Sequence, residues 1–361
     1  MMNKDAKIYL AGHTGLVGSA LMRGLERHGY RKIITRRHGD LDLINQHETE
    51  RFFAEEKPEY VLLAAARVGG IMANNTYRAD FIYDNIQIQN NVIHFSWKYG
   101  VNKLLFLGSS CIYPKNAPQP LKEEYLLSSE LEYTNEPYAI AKIAGIKMCE
   151  AYNIQHGTNF LSVMPTNLYG PGDNYDLEKS HVLPALIRKF HLGKCLENND
   201  WEGIRRDFDK RPVEGISGKH PENEISGILS RYGIAKSPKG VEITFWGTGK
   251  PMREFLHSDD LAEACIFILK SINFSQLTPE TREIRNTHLN IGTGLDISII
   301  GLADMIGRIA GFSGTVAWDD TKPVGTLRKV MDVTRMAQMN WHASVSLEEG
   351  LERVFNQYVN E

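Results

Sequence analysis

The segment KIYLAGHTGLVGSA, residues 7–20, decides the fold of this 361-residue chain. Its first five residues are typical of a short buried strand, and Gly12, Gly15 and Gly18 follow at once. Glycines at a strand-to-helix turn allow a tight turn, a close approach of pyrophosphate and close packing of the helix on the sheet. The following helix start offers free N–H groups and the positive end of its dipole to phosphates. The segment therefore predicts a dinucleotide-binding turn, with a ligand-free glycine turn as the alternative.

Strand and helix signals alternate outward from this turn. The predicted strands are 7–11, 32–35, 60–66 and 103–107, and the predicted helices are 19–28, 49–56 and 80–99. Such alternation indicates a doubly wound parallel sheet with right-handed crossovers. After residues 169–172 the alternation ends, and the later signals are a helix at 182–192 and strands at 242–246 and 289–291. The predicted fold class is α/β, a doubly wound (Rossmann) sheet with a smaller α/β domain.

The same signals predict two domains. We expect a dinucleotide-binding domain from residues 1–167 and 254–292, and a substrate domain from residues 168–253 and 293–361. Residues 194–240 are dense in charge and glycine and are expected to form an insertion in the second domain. We interpret this insertion as a solvated elaboration with short helices rather than as a functional lid, because long surface insertions cost little free energy.

Composition excludes several classes of protein. The chain carries 41 Lys+Arg against 44 Asp+Glu, a formal charge of -3, whereas nucleic-acid binding would need a concentrated basic surface. No stretch approaches the roughly 18 apolar residues of a membrane span, and the first residues show no secretory signal. The four cysteines are scattered without C-x-x-C spacing, which predicts no metal site and no disulfide framework. We therefore expect a cytoplasmic protein in a reducing compartment.

The end of the second strand indicates which dinucleotide is bound. NAD sites place an acid there to bind the ribose 2′-hydroxyl, whereas NADP sites place positive charge against the 2′-phosphate. This chain has Arg36 and Arg37 at that point and no acid until Asp40. The sequence predicts NADP(H), with both arginines as phosphate partners. The alternative is that both side chains are simply solvated.

A second group of residues suggests acid–base chemistry. Tyr138 and Lys142 stand four residues apart, so both project from one face of a predicted helix. A nearby ammonium favours the phenolate, and we expect it to lower the tyrosine pKa from its reference of about 10. Such pairs arise by chance, but Ser109 follows a buried strand at the sheet edge where ligands bind. The three residues together predict an acid–base site.

At this point the chain resembles a known family. The segments that carry the resemblance are AGHTGLVGSA (11–20), AAARVGGI (64–71), FLGSSCIYP (106–114), NEPYAIAKIAG (135–145), SVMPTNLYGP (162–171), SHVLPAL (180–186) and MREFLHSDD (252–260). A weaker match continues through IGTG (291–294) and GTLRK (325–329). The chain is similar to the extended short-chain dehydrogenase/reductases and, among them, to the GDP-L-fucose synthase family. The segments 106–114 and 180–186 are the most specific.

The resemblance implies an activity and a set of catalytic residues. It implies NADPH-dependent 3,5-epimerisation and 4-reduction of GDP-4-keto-6-deoxy-D-mannose to GDP-L-fucose. Ser109, Tyr138 and Lys142 match the reductase triad, and Cys111 and His181 match the pair that moves protons at C3 and C5. Thiol and imidazole have reference pKa values of about 8.5 and 6.5, close enough to neutrality for that work. Without the resemblance, Cys111 reads as an inert core residue and His181 as a helix cap.

The resemblance also implies binding residues and an assembly. The cofactor would contact Gly12, Thr14, Gly15, Leu16, Val17, Gly18, Arg36, Arg37, Leu107, Gly108, Lys142, Pro165, Asn167, Leu168 and His181. The substrate nucleotide would contact Lys189, Trp246, Arg253 and Lys329. Thr14, Lys189 and Val324 depart from residues common in the family, and Lys189 loses the bidentate phosphate geometry of arginine. By analogy we expect a homodimer built on the helices that contain residues 81–99 and Tyr138.

Three alternatives stay open. The same machinery could act on a related GDP-4-keto sugar, in the synthesis of GDP-colitose or a GDP-deoxyheptose. A C4 epimerase or 4,6-dehydratase would show no net NADPH consumption, and such dehydratases carry a threonine and an acid where this chain has Ser109-Ser110-Cys111. A non-catalytic NADP-binding regulator would bind NADPH without turnover, and such proteins usually lose the tyrosine or the lysine.

Overall fold

The computed structural model describes residues 2–238, 240–278, 283–321 and 326–361. The chain divides into two compact units. The first unit contains the chain up to Gly172, Glu254–Leu295 and Val330–Val345, and the second contains Asp173–Arg253, Asp296–Lys329 and Ser346–Glu361. Residues 168–172, 293–295 and 330–345 thus lie in the first unit, whereas the sequence analysis assigned them to the second. Backbone hydrogen bonds from Leu121 to Val330 and from Asp332 to Leu121, both 2.8 Å, hold part of that last segment in the first unit.

The helices and strands have the following bounds. The strands are β1 (Ile8–Ala11), β2 (Ile33–Ile34), β3 (Tyr60–Leu63), β4 (Lys103–Leu107), β5 (Phe160–Pro165), β6 (Asn167–Tyr169), β7 (Ile234–Ser237), β8 (Gly240–Trp246), β9 (Met252–His257), β10 (Leu289–Ile291), β11 (Asp296–Ser298), β12 (Thr315–Asp319) and β13 (Arg328–Lys329). The helices are α1 (Leu16–Arg27), α2 (Gln46–Glu56), α3 (Ile71–Thr76), α4 (Arg78–Lys98), α5 (Glu136–His156), α6 (Val182–Glu197), α7 (Trp201–Lys210), α8 (Glu222–Arg231), α9 (Ser258–Ser271), α10 (Ile299–Ala310), α11 (Thr334–Gln338) and α12 (Leu347–Asn360). Short 3₁₀ turns occupy Ser110–Ile112, Glu123–Tyr125, Tyr133–Asn135 and Phe274–Gln276.

The first unit is built on a parallel sheet. Among the described residues, six strands lie in the order β10-β5-β4-β3-β1-β2, and every paired neighbour is parallel. The chain goes from β1 outward to β2 and then returns to the other side of β1 as β3, so the winding direction reverses between β1 and β3. Ligands bind at the carboxyl ends of strands at such a switch point. The predicted doubly wound α/β fold is confirmed.

Both faces of this sheet are covered, as the buried apolar runs predicted. Successive residues of β4 alternate between two cores: Leu105 and Leu107 pack with α1 and α9, and Leu104 and Phe106 pack on the opposite side. This alternation follows from the two-residue period of a strand. A strand that is buried on both sides reads as a continuous apolar run, which is how residues 103–107 were recognised.

Some element ends differ from the prediction. The strand predicted at 60–66 ends at Leu63, because its neighbour β1 ends at Ala11, the register partner of Leu63. The helix predicted from residue 19 begins at Leu16, directly after the Gly15 cap. The helix predicted at 182–192 continues to Glu197. These differences arise because neighbouring strands and caps, rather than apolar periodicity, fix where an element ends.

The second unit contains the insertion as part of its core. β8 pairs with β12 in parallel and with β7 in antiparallel fashion, and residues 194–240 supply α7, α8 and β7. Ile204, Phe208 and Ile225 are fully buried. The prediction that this segment is a solvated elaboration is therefore wrong: the amphipathic faces of its two helices bury apolar side chains, which stabilises packed structure.

A buried ion pair anchors the insertion to α6. Arg188 is 1% exposed, and its guanidinium lies 2.8 Å from the Asp207 carboxylate on α7. The Tyr358 hydroxyl donates to the second carboxylate oxygen of Asp207. Because both charges are buried and hydrogen-bonded, the loss of either partner would leave an uncompensated charge. This contact explains why the charged composition of the segment does not keep it in solvent.

Candidate active site

The glycine turn after β1 has the shape expected for a phosphate-binding turn. Gly12 has φ +87°, and a Cβ there would lie 2.6 Å from the backbone nitrogen of Ala65. A Cβ at Gly18 would lie 1.9 Å from the Gly12 carbonyl oxygen. Within the described chain no side chain caps the first turn of α1, and that turn contains no acidic residue. The turn therefore leaves backbone N–H groups available for an anion at the switch point.

The two arginines after β2 have different partners. The Arg36 guanidinium lies 2.5 Å from the Glu56 carboxylate and 5.5 Å from the centre of the Phe52 ring. Arg37 is exposed, and its backbone N–H donates to the Asp40 carboxylate at 3.3 Å. Asp40, the first acid after the strand, is thus engaged with backbone beside the arginines. The roles of Arg36 and Arg37 toward a 2′-phosphate stay predictions.

The double variant Arg36→Gln/Arg37→Gln tests those roles. We expect the ratio of NADPH affinity to NADH affinity to fall about tenfold or more, because charge-assisted bonds to phosphate are lost while the ribose contacts remain. Fluorescence titration of the purified protein with each dinucleotide measures the ratio. Lys32→Gln serves as a control for general charge loss, because Lys32 is an exposed cation directly before β2, whereas the two arginines follow that strand. An unchanged ratio in the double variant would remove both arginines from the cofactor site.

Tyr138 and Lys142 lie on the buried face of α5. Gly145, one turn further on, allows this close packing, because a Cβ there would lie 2.5 Å from the Phe106 ring. The Lys142 ammonium donates to the Leu107 carbonyl at 2.8 Å and lies 5.7 Å from the centre of the Tyr138 ring. The structure thus brings the predicted phenol and ammonium to the carboxyl end of β4.

The ionisation of this pair differs from the expectation. Burial raises the pKa of the Tyr138 phenol, and the nearby Cys111 raises it further. Burial lowers the pKa of Lys142 to about 8, while Cys111 opposes that change. The prediction that Lys142 lowers the pKa of Tyr138 is wrong for the ligand-free chain, because desolvation and the nearby Cys111 both raise the pKa of the phenol. Tyr138 is therefore protonated at neutral pH in the ligand-free chain, as an unperturbed tyrosine also would be, and it is a weaker acid than usual.

Ser109 and Cys111 occupy the turn directly after β4. The Ser109 hydroxyl accepts the Cys111 N–H at 3.3 Å and caps the 3₁₀ turn Ser110–Ile112. Cys111 is 9% exposed and lies close enough to Tyr138 and Lys142 to change their pKa values. Ser109, Cys111, Tyr138 and Lys142 therefore form one cluster in the first unit. This cluster is the candidate acid–base centre.

The sequence analysis missed a buried polar network that holds this turn. The Tyr113 hydroxyl donates to the Asn290 side-chain oxygen at 2.5 Å and lies 3.1 Å from Nε2 of His288. Burial lowers the pKa of His288 to about 3, so its ring is neutral and Nε2–H can donate to Tyr113. The one signal available in the sequence was the position of Tyr113, two residues after Cys111.

The remaining cofactor candidates of the first unit lie at the ends of β4, β5 and β6. Gly108 must lack a side chain, because a Cβ there would lie 2.4 Å from the Met164 side chain. The Asn167 side-chain amide donates to the Glu254 carbonyl at 2.8 Å. Pro165 and Leu168 flank Asn167 along the same segment. In the glycine turn, Thr14 is exposed and Leu16 and Val17 begin α1. Their contacts with a cofactor stay predictions.

The second unit carries the predicted nucleotide-binding cations. Burial lowers the pKa of Lys189 to about 8 and lowers the pKa of Arg253. The Lys189 ammonium lies 3.4 Å from the Thr244 carbonyl, and the Arg253 guanidinium donates to the Met252 carbonyl at 2.8 Å. Within the described ranges no carboxylate forms an ion pair with either side chain. A desolvated cation without an acidic partner favours the binding of an anion.

Three further candidates lie in the same unit. Lys329 on β13 is the register partner of Arg253 on β9. His181 stands at the N-cap position of α6 and is exposed. Partial burial of its ring, together with Lys329, lowers its pKa below the usual value. Trp246, at the end of β8, is 67% exposed. Lys329 thus lies beside Arg253 and near His181, whereas the pairing of His181 with Cys111 stays a prediction. Val324 lies outside the described residues.

The described residues contain neither a metal-binding cluster nor a helix suited to span a membrane. No cluster of three or more histidine, cysteine, aspartate or glutamate side chains has a metal-binding arrangement in the part of the chain that the structure describes. None of the helices described there has both the length and the apolar composition required to cross a bilayer.

Comparison with known proteins gives consistent matches. A family model described as the NAD dependent epimerase/dehydratase family matches residues 8–208 and 212–292. GDP-L-fucose synthase 1 of Arabidopsis thaliana is 49% identical over 359 residues, which cover 99% of this chain and 95% of that protein. The crystal structure of a GDP-6-OMe-4-keto-L-xylo-heptose reductase from C. jejuni is 43% identical, with a TM-score of 0.92 and 99% coverage of both chains. The structure of MlghC, a GDP-mannoheptose C4 reductase from Campylobacter jejuni with NADP bound, is 43% identical, with a TM-score of 0.87 and 99% coverage of both chains.

Proposed function

The chain belongs to the NAD dependent epimerase/dehydratase family, and from this premise we propose that it converts GDP-4-keto-6-deoxy-D-mannose to GDP-L-fucose. The reaction consists of epimerisation at C3 and C5 and NADPH-dependent reduction at C4. The observation that carries the proposal is the cluster of Ser109, Cys111, Tyr138 and Lys142 at the carboxyl end of β4. Near full-length similarity to GDP-L-fucose synthases supports it.

The cofactor is NADP(H), and the glycine turn fits it. A Cβ at Gly12 would meet the backbone of Ala64 and Ala65, and a Cβ at Gly18 would meet the backbone of Gly12, while among the described residues no side chain caps the start of α1. This is the arrangement that accepts a pyrophosphate. Bound NADPH supplies the hydride that reduces C4. Arg36 and Arg37 are proposed to hold its 2′-phosphate, and Lys142 its nicotinamide ribose.

Epimerisation requires proton transfer at carbons next to the C4 ketone. These carbons become acidic only as negative charge develops on the C4 oxygen, so a donor must stabilise that oxygen. We assign this role to the hydroxyls of Ser109 and Tyr138. A base removes the proton from one face of the sugar and an acid returns one to the other face. Cys111 and His181 are proposed to supply these two groups, whose reference pKa values lie near neutrality.

Reduction uses the same oxygen. As C4 becomes tetrahedral, its oxygen takes a proton, which Tyr138 donates. Burial raises the pKa of Tyr138, so this donation depends on stabilisation of the phenolate that is left. The ammonium of Lys142, buried within 5.7 Å of the Tyr138 ring centre, then stabilises the phenolate that remains.

The GDP portion is proposed to bind in the second unit. Lys189 and Arg253 are desolvated cations without acidic partners within the described residues, and the diphosphate supplies the missing negative charge. Lys329 lies beside Arg253 in the strand register. The exposed Trp246 ring provides a surface on which a guanine base can stack.

Product identification tests the function. Purified protein, NADPH and GDP-4-keto-6-deoxy-D-mannose are incubated in deuterated water, and the product is analysed by NMR. We expect GDP-L-fucose with deuterium at C3 and C5, and one NADPH oxidised per product. Deuterium exchange without NADPH oxidation would indicate an epimerase alone, and NADPH binding without any turnover would indicate a non-catalytic regulator.

A second candidate substrate is a GDP-4-keto heptose. The observation that favours it is that two solved relatives, both 43% identical over nearly the whole chain, are described as GDP-heptose reductases. A GDP-colitose precursor is the corresponding dideoxy candidate. Parallel kcat/KM measurements on the deoxyhexose, dideoxyhexose and heptose substrates decide among them. The deoxyhexose is expected to be the best of the three.

The chain is further proposed to act as a cytoplasmic homodimer. Exposed apolar side chains on α4 and α5, among them Tyr83, Trp97, Ile140 and Ile154, support an interface on these helices. None of the four cysteines, all of which lie in the described residues, forms a disulfide, which fits a reducing compartment. Light scattering of the purified chain measures its oligomeric state. Fractionation of the source cells identifies the compartment in which it is found.

A further inference from the structure

The buried carboxylate of Glu254 is bound by backbone N–H groups rather than by a cation. Glu254 is 0% exposed, and among the described residues it has no ion-pair partner. One carboxylate oxygen accepts the N–H groups of Thr293 and Gly294 at 2.5 and 2.8 Å, and the other accepts the N–H of Met331 at 2.7 Å. These donors offset part of the cost of burying the charge, although desolvation still raises the pKa of Glu254 above its usual value.

The loop Gly292–Gly294 is shaped around this carboxylate. A Cβ at Gly292 would lie 2.2 Å from the carboxylate oxygen, and Gly294 has φ +73°. Successive N–H groups in such a loop form a concave anion site. The protein therefore binds its own carboxylate there, which accounts for the IGTG segment that the sequence analysis recognised without assigning it a role.

The hydrogen bonds of Glu254 join segments that lie beside three passages of the chain between the units. These passages fall between residues 253 and 254, 295 and 296, and 329 and 330. Glu254 lies directly after the passage at 253/254. Thr293 and Gly294 lie just before the passage at 295/296, and Met331 lies just after the passage at 329/330. The Glu254 side chain thus holds together three segments of the first unit, each next to a residue at which the chain passes to the second unit.

Two of these segments lead directly to cations of the second unit. Arg253 precedes Glu254 on β9, and Lys329 lies two residues before Met331. In the parallel pairing of β9 with β13, Arg253 and Lys329 are direct partners, so their side chains start from the same face of neighbouring strands. Strands in a sheet are about 4.8 Å apart, which allows both side chains to reach one diphosphate.

We propose that Glu254 is a positioning residue for the GDP-sugar: its bonds to the 292–294 loop and to Met331 set the register that presents Arg253 and Lys329 together. Glu254 does not contact the substrate in this role. The proposal rests on the proposed function, because it assumes that these two cations bind the diphosphate. The proposal adds Glu254 to the residues that determine substrate binding. Its side chain lies on the face of β9 opposite to Arg253 and acts through its hydrogen bonds rather than through contact with a ligand.

The variant Glu254→Gln tests the proposal, because it keeps the size of the side chain and turns an amide NH₂ toward backbone donors. We expect the Kd of GDP and the KM of the GDP-sugar to rise about tenfold, while the Kd of NADPH changes less than about twofold. Calorimetry with GDP and with NADPH measures the two affinities. Glu254→Asp, which keeps the charge, is expected to recover part of the loss.

Asp260→Asn is the matched control. Asp260 is also a buried carboxylate of the first unit, and it accepts the N–H groups of Ser344 and Val345 at 3.0 and 2.9 Å beside another passage between the units. This passage leads to neither Arg253 nor Lys329. The control is expected to lower the Tm without changing the GDP affinity.

Further variants separate the two hypotheses. If Arg253→Gln leaves GDP binding unchanged, the proposed diphosphate site fails, whatever Glu254 does. If Arg253→Gln weakens GDP binding and Glu254→Gln does not, the positioning role is overturned and the site stands. Equal losses of GDP and NADPH affinity in Glu254→Gln would also overturn it. Should that variant not fold, Gly292→Ala displaces the same carboxylate and must show the same selective loss of GDP affinity.

Discussion

Tyr138→Phe removes hydride transfer to the keto-sugar while NADPH binding is retained. We expect kcat for reduction to fall by about 10²–10⁴-fold, the usual contribution of a general acid. The variant loses one hydroxyl from a half-buried ring, and the ring contact with Phe81, 6.3 Å between centres, is kept. Stopped-flow measurement of NADPH oxidation at saturating substrate gives the rate, and a dinucleotide titration gives the affinity.

Tyr152→Phe is the control for the loss of a tyrosine hydroxyl from the same helix. The Tyr152 hydroxyl is 2.8 Å from Nδ1 of His94, which is not part of the candidate site. Its removal is expected to leave the reduction rate within about twofold of the parent, since surface changes away from special features have small effects. Turnover that persists in Tyr138→Phe would exclude Tyr138 as the proton donor and would leave the proposed mechanism without its acid.

Cys111→Ser separates the two half-reactions. We expect epimerisation to slow by about 10²-fold or more, because an alcohol is a far weaker acid and base near neutrality than a thiol. Reduction of the epimerised keto-sugar, supplied directly, is expected to stay close to the parent rate, since the proton then comes from Tyr138. Deuterium incorporation at C3 and C5 in the absence of NADPH measures the first step, and NADPH oxidation the second.

Cys149→Ser controls for the placement of a hydroxyl in a buried position. Cys149 lies on α5 with 1% exposure, and burial raises the pKa of its thiol to about 12, which suits packing rather than proton transfer. This variant is expected to lose stability but to keep the ratio of the two half-reaction rates. Equal losses of both rates in Cys111→Ser would contradict the assigned division between Cys111 and Tyr138.

Features that depend on a few neighbouring residues were predicted well, and features that depend on distant residues were not. The apolar run at 103–107 predicted β4 to the residue, because burial on both faces leaves an unmistakable pattern. The run at 60–66 gave a strand that was too long, because its end depends on where β1 ends. In residues 194–240, charge density suggested exposure, although Ile204 and Phe208 are fully buried. In this segment the spacing of a few apolar residues, rather than the mean composition, determined which side chains are buried.

The candidate site likewise combines features that short-range geometry predicts with features that depend on tertiary packing. The glycine turn and the pair Tyr138 and Lys142 follow from short-range geometry: a turn that excludes Cβ atoms, and a four-residue spacing on one helix. The raised pKa of Tyr138 does not follow from that spacing, because it results from desolvation by the packed protein and from the nearby Cys111. Arg36 likewise meets Glu56 only because two elements pack together.

By itself, the sequence determined the alternation of strands and helices, the dinucleotide-binding turn and the family to which the chain belongs. These features are set within a few residues by steric limits and by periodicity. Only the tertiary structure decided that Thr293, Gly294 and Met331 meet on the carboxylate of Glu254, that the insertion supplies part of a core, and that burial raises the pKa of Tyr138. Burial and hydrogen bonding between residues far apart in the chain arise from packing, and pKa values follow from both.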